Sequence, residues 1–140
     1  MKFVINYWGF EFDLPSGWSE PGALRRQLSP GRHAHQKTQP EFYGPDDASI
    51  KFVIGPVSPV PSVNQQQNNL ETTALRSGHD IIEIGTISVG GKNHATIICN
   101  IPGIGTLKHY SVIFGTTEYL ITARGDWQEC DSIVKTIKIY

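Results

Sequence analysis

The sequence predicts an α+β domain built on a twisted antiparallel sheet of about six or seven strands. Three observations carry that expectation. Runs of alternating apolar and polar residues recur along the chain, which places the apolar groups of each run on one strand face. The links between the last four runs are too short for the crossover that parallel pairing requires. After Gly125 the apolar period switches from two to 3.6, so a helix closes the chain and packs on the sheet. At 140 residues the chain has the size of one domain with one core, covering residues 1–140.

The first strands are residues 3–6 and 9–13, FVIN and GFEFD, or one strand bent at Tyr7-Trp8-Gly9. Phe10, Phe12 and Leu14 alternate with Glu11 and Asp13, so the three apolar groups share a face. Pro15-Ser16-Gly17 breaks the run, and Trp18 plugs the core edge. Residues 19–40 show no period, carry Pro21, Gly22, Pro30, Gly31 and Pro40, and read as a long loop with a helical turn at Ala23–Leu28. Glu41–Tyr43 and Ser49–Ile54 make a hairpin around Gly44-Pro45-Asp46-Asp47. Pro56, Pro59 and Pro61 then carry an extended connection.

Ser62, with Gln65 three residues on, has the capping-box spacing for a helix start. That helix runs to about Ser77, with Gly78 ending it. Val63, Leu70, Ala74 and Leu75 supply a narrow apolar stripe, and the tract QQQNN is expected on its exposed turns. Four strands follow, at Ile81–Ser88, Ala95–Ile101, Leu107–Phe114 and Tyr119–Arg124. The closing helix starts at Asp126, with Glu129 completing a capping box and Trp127, Cys130, Ile133, Val134 and Ile137 recurring at helical spacing. Phe10, Phe12, Leu14, Trp18, Tyr110, Val112, Phe114 and Trp127 are the expected core.

Composition narrows the function classes. The formal charge of −1 gives no reason to expect nucleic acid or a membrane surface as partner. No apolar run approaches the roughly 20 residues of a membrane helix, and the N-terminus lacks the apolar segment of a signal peptide. A cytoplasmic protein is therefore expected. Cys99 and Cys130 make no CxxC pair and read as buried thiols that pack as small hydrophobes.

Candidate chemistry is sparse. The GGKNH segment, Gly90–His94, has paired glycines between two strand runs and suits a tight turn. It is not a phosphate loop, because a Walker sequence needs Ser or Thr after the lysine and then a helix. His33-Ala34-His35 directs two imidazoles the same way in an extended segment, which is half of a metal site. A small hydrolase or metal-dependent enzyme near His33 and His35 is the competing expectation. A triad of Ser111, His109 and Asp80 can be assembled on paper, without a GxSxG elbow to support it. Asp46-Asp47 suits a solvent-facing turn. Arg25, Arg26, Arg32 and Lys37 join the two histidines in a loop with no acidic residue from Pro21 to Pro40, a surface suited to steering an acidic partner.

The order of elements, with FEFDLPSGW (Phe10–Trp18), ISVGGKNHATII (Ile87–Ile98) and YLITARGD (Tyr119–Asp126), resembles the PsbP-like superfamily, which includes PsbP, Mog and DcrB-type domains and type VI secretion effector adaptors. The resemblance spans most of the chain, least over residues 19–40. It implies an α/β/α sandwich and a family that mostly works by binding proteins, with no catalytic residue to carry over. The combined expectation is a non-catalytic protein-binding module, an adaptor, chaperone or assembly factor, that needs no cofactor and takes a protein partner. Its binding residues are expected to be Arg25, Arg26, Arg32, His33, His35, Phe42 and Tyr43, with Trp8 as a further aromatic anchor.

Overall fold

The computed structural model describes the backbone of residues 2–5 and the whole of residues 10–19 and 41–139. Among these the order is β1 (Lys2–Ile5), β2 (Phe10–Asp13), β3 (Glu41–Tyr43), β4 (Ser49–Pro56), α1 (Val63–Arg76), β5 (Asp80–Val89), β6 (Lys92–Ile101), β7 (Gly105–Phe114), β8 (Thr117–Arg124), α2 (Trp127–Lys135) and β9 (Lys138–Ile139). Six strands form one antiparallel sheet in the order β3-β4-β8-β7-β6-β5. The expected meander is four of these strands, β5–β8. The turn that starts it is Gly90-Gly91, with φ of 62° and 79°, the left-handed conformation that a two-residue hairpin requires and that glycine adopts without cost.

The N-terminal strands do not extend this sheet. β1 pairs with β2, and β2 pairs with β9, in a separate three-stranded sheet. Phe10 and Phe12 face the main core from there. Their rings meet Phe52 at 5.6 and 5.3 Å between centroids, and Phe12 meets Phe42 edge-on at 5.1 Å. These separations and tilts are those that aromatic quadrupoles favour. Leu14, Trp18, Tyr110 and Val112 are buried in the same cluster, as expected, and Cys130, Ile133, Val134 and Ile137 join it from α2 and its end. Trp127 and Phe114 are only half-buried at its margin. Tyr119, Ile121, Ile50 and Phe52, which were not among the expected core, are buried in the cluster.

The helix ends follow their chemistry. Ser62 and Gln65 form the full capping box on α1. On α2, Asp126 accepts from the Gln128 and Glu129 main-chain N–H groups, but Glu129 does not close the box. Its carboxylate accepts instead from the Trp18 indole N–H, which ties the plug residue to the last helix. α1 packs on β5 and β6 and reaches β7, through Leu70 and Ala74 on Ala95, Ile97 and Cys99.

Its stripe departs from the sequence reading at two points. Leu75 is exposed, and Gln66, from the tract expected in solvent, is buried. The Gln66 amide donates to the Ser111 carbonyl at 2.9 Å and accepts from Ala95 N–H at 3.3 Å. Gln67 donates to the Gly85 carbonyl at 3.1 Å. A polar side chain is stable there because both ends of its amide are satisfied.

Candidate functional site

β-Strand alternation sorts the main sheet into two faces. One carries Phe52, Tyr110, Val112, Ile121 and Ala123 toward α2 and β2. The opposite face carries Ala95, Ile97, Cys99 and Leu120 toward α1. Because α1 lies over β5–β7, no helix among the described residues covers the β3–β4–β8 end of that second face. Outward positions of β8 there are Glu118, Leu120, Thr122 and Arg124. They floor two clefts on the same face. Glu118 and Leu120 lie in a cleft of about 200 Å³ against α1, with Val57, Pro61, Gln66 and Leu70. Thr122 and Arg124 lie in a wider one of about 460 Å³, with Glu41, Tyr43, Lys51 and Leu107.

Registration explains the second cleft. Glu41 is opposite Lys51, Lys51 opposite Thr122, Tyr43 opposite Ser49, and Ser49 opposite Arg124. Two cross-strand rows therefore set cationic, anionic and aromatic groups side by side. The Tyr43 hydroxyl donates to the Glu41 carboxylate at 2.6 Å. That hydrogen bond, ahead of burial and the carboxylate charge, holds the phenol above its ordinary pKa. At 46% exposure, Tyr43 presents an apolar ring with a polar tip to solvent, the character that suits interface anchors.

Other polar groups are committed elsewhere. Ser111 Oγ donates to the Glu118 carboxylate at 2.7 Å, and His109 Nδ1 lies 3.0 Å from the Thr122 hydroxyl. The paper triad is therefore not coupled as nucleophile and base. His94 bridges Val89 O and Ile113 N, both at 3.2 Å, and burial lowers its pKa. Both cysteines are buried free thiols. Burial, then the acidic neighbours Asp131, Glu129 and Asp126, pushes Cys130 up to about 12. One group with metal-ligating chemistry stands out among the described residues, His79, Cys99 and His109.

No family profile matches the sequence, and no curated protein matches it. Solved structures do. The chain superposes on cyanobacterial PsbP (CyanoP) from Synechocystis sp. PCC 6803 with TM-score 0.65 and 12% identity, covering 100% of this chain and 92% of that one. It superposes on the Ran-binding protein Mog1p of Saccharomyces cerevisiae with TM-score 0.65 and 11% identity, covering 99% and 94%. This is a PsbP/Mog-like fold. A structure from Bacteroides thetaiotaomicron VPI-5482 also matches, with TM-score 0.56 and 14% identity, over 99% of this chain and 48% of that one. At such identities the likeness concerns the fold and assigns no site.

Within the PsbP/Mog-like fold, the expected binding residues fall into three groups. Arg25, Arg26, Arg32, His33 and His35 lie outside the described residues, as does Trp8. Tyr43 is exposed on the sheet face that carries Lys51, Thr122 and Arg124. Phe42 is corrected: it is fully buried, because one position along β3 turns the side chain to the opposite face, onto Phe12 and Phe52. It holds the hairpin to the core and is not an anchor. Lys51, Thr122 and Arg124 were missed as candidates. Their only sequence signal was polarity on strand positions facing away from the core. No helix among the described residues is long and apolar enough to cross a membrane.

Proposed function

We propose that this chain is a non-catalytic protein-binding module, working as an adaptor, chaperone or assembly factor. The observation that carries the reading is the end of the sheet face that no helix among the described residues covers, where the β8 row and exposed Tyr43 border two clefts. An extended or helical segment of a partner has, in such a trough, apolar floor from Leu120 and Leu107 and polar groups from Lys51, Glu41 and Arg124. Its fold neighbour Mog1p is a Ran-binding protein, which supports a binding role for this scaffold. The basic segment with Arg25, Arg26, Arg32, His33 and His35 is proposed to steer an acidic partner toward the same module, and Tyr43 to anchor it. A cytoplasmic location is part of the proposal.

The experiment is affinity capture from the native cell with three baits. The first is the wild type, the second has Arg25, Arg26 and Arg32 changed to glutamate, and the third carries Tyr43→Ala with Lys51→Glu. A protein partner weakened by salt and lost with either folded variant agrees with the proposal. A partner held equally by all three moves the site elsewhere. Recovery of a small-molecule ligand in place of any protein overturns the reading.

A further inference from the structure

We propose that His79, Cys99 and His109 form a binding site for a borderline divalent cation of the zinc class, with two imidazoles and one thiolate as ligands. The three residues come from separate elements. In the β6–β7 register Ile97 is opposite His109 and Cys99 opposite Leu107, so Cys99 and His109 are diagonal neighbours on the face under α1. His79 arrives from the helix end. Gly78, at φ 75°, reverses the chain there, with Gly78 N–H donating to the Leu75 carbonyl at 3.1 Å and His79 N–H to the Ala74 carbonyl at 2.9 Å. That pair of bonds is the Schellman motif. It fixes the His79 backbone beside the sheet.

One ligand atom from each residue lies within 4.8 Å of the other two. Zinc–nitrogen bonds of about 2.0–2.1 Å and zinc–sulfur bonds of about 2.3 Å place tetrahedral ligands about 3.3–3.6 Å apart. Closure therefore needs a contraction of about 1.5 Å or less, within reach of a side-chain rotation by half-buried His79. Thr122 supplies an outer partner, its hydroxyl 3.0 Å from His109 Nδ1. With the Nδ1 proton on that hydroxyl, the Nε2 lone pair is left for metal, the arrangement in which outer hydrogen bonds orient ligating histidines.

The surroundings favour the ligand states that a cation needs at the imidazole. Burial, and then the nearby His79, lowers the His109 pKa, the direction that favours the neutral imidazole. Burial raises the Cys99 thiol. A dication reverses that preference by taking the thiolate and releasing its proton to solvent. Three protein ligands leave the fourth position to water. Its ligands are not the histidine pair that the sequence singled out at His33 and His35, and it stands whether or not the protein-binding reading holds.

The test is titration of the metal-free full chain with cobalt(II), followed by displacement with zinc(II). One equivalent should produce a thiolate-to-cobalt charge-transfer band and the strong visible bands of tetrahedral cobalt, and zinc should remove both. His79→Asn and His109→Asn should each weaken affinity by about 100-fold or more, beyond the 10–100-fold typical of outer partners. Cys99→Ser should abolish the charge-transfer band, while Cys130→Ser and the double change of His33 and His35 to alanine should leave it intact. His79 is half-buried at a helix end, so His79→Asn decides the matter if Cys99→Ser fails to fold. Absence of the band in the wild type, or binding unchanged in folded His79→Asn, would overturn the proposal.

Discussion

Replacing His94 with alanine tests how the β6–β7 hairpin is held where its ladder ends. Strand pairing between β6 and β7 stops at Ala95 opposite Ser111. The Ile113 N–H, two residues further along β7, takes His94 Nδ1 as acceptor at 3.2 Å, and Nε2 faces Val89 O at the same distance. This pattern fixes a neutral ring with its proton on Nε2. Removing it forfeits the Val89 bond, worth about 0.5–1.5 kcal/mol, and leaves the Ile113 N–H buried and unpaired at a cost of about 1–3 kcal/mol. The ring also lies tilted against Phe114, with centroids 5.8 Å apart. The expected loss for His94→Ala is about 2–4 kcal/mol.

The same ring makes stability depend on pH. Burial lowers the His94 pKa in the folded state, so the unfolded chain binds the proton more readily. The contribution is complete above the ordinary imidazole value of about 6.5 and declines as pH falls through it. Urea unfolding at about pH 8 and about pH 5, on either side of that value, should show a wild-type decline toward acid that is smaller in His94→Ala. His109, whose pKa is lowered too, adds a decline of the same sign that both proteins share. An unfolding midpoint for His94→Ala equal to wild type near pH 8, with the same acid dependence in both, refutes the reasoning.

Gln66→Glu should destabilise by about 1–3 kcal/mol in thermal unfolding, since a carboxylate cannot donate to the buried Ser111 carbonyl. Gln66→Leu should cost a similar amount by orphaning Ala95 N–H as well, and an unchanged Tm in either variant would show that the amide bridge contributes nothing. Gly44→Ala should cost about 1–3 kcal/mol through overpacking, because the added Cβ falls 2.4 Å from Trp18 Cε2. Trp18 fluorescence should shift with it, and an unaltered spectrum and stability would mean that the indole moves aside freely.

The local rules read well along this chain. Period-two runs located β2 and β4–β8, glycine pairs located the turn before β6, and Ser62 and Asp126 marked both helix starts within a residue. What sequence could not reveal depends on partners far along the chain. Whether β2 joins the main sheet or pairs with β9 is decided by a two-residue strand, Lys138–Ile139, too short to leave a period. Gln66 and Gln67 look solvated because their partners, Ser111, Ala95 and Gly85, become neighbours only after α1 docks. Phe42 and Tyr43 are equivalent as sequence aromatics, and only strand pleat separates core from surface. His79, Cys99 and His109 are spread over 31 positions, and hairpin register together with a helix stop is what gathers them.

The most direct measurement of the binding claim is site-specific photo-crosslinking in native extract. A photoreactive side chain at position 43, 51 or 124 lies on the sheet face that bears the β8 row, whereas one at exposed Lys135 lies on α2, across the sheet. The account predicts a discrete protein adduct, the same from positions 43, 51 and 124, absent from position 135 and reduced by salt. Adducts from position 135 alone, or none from positions 43, 51 and 124 in a folded protein, would contradict it.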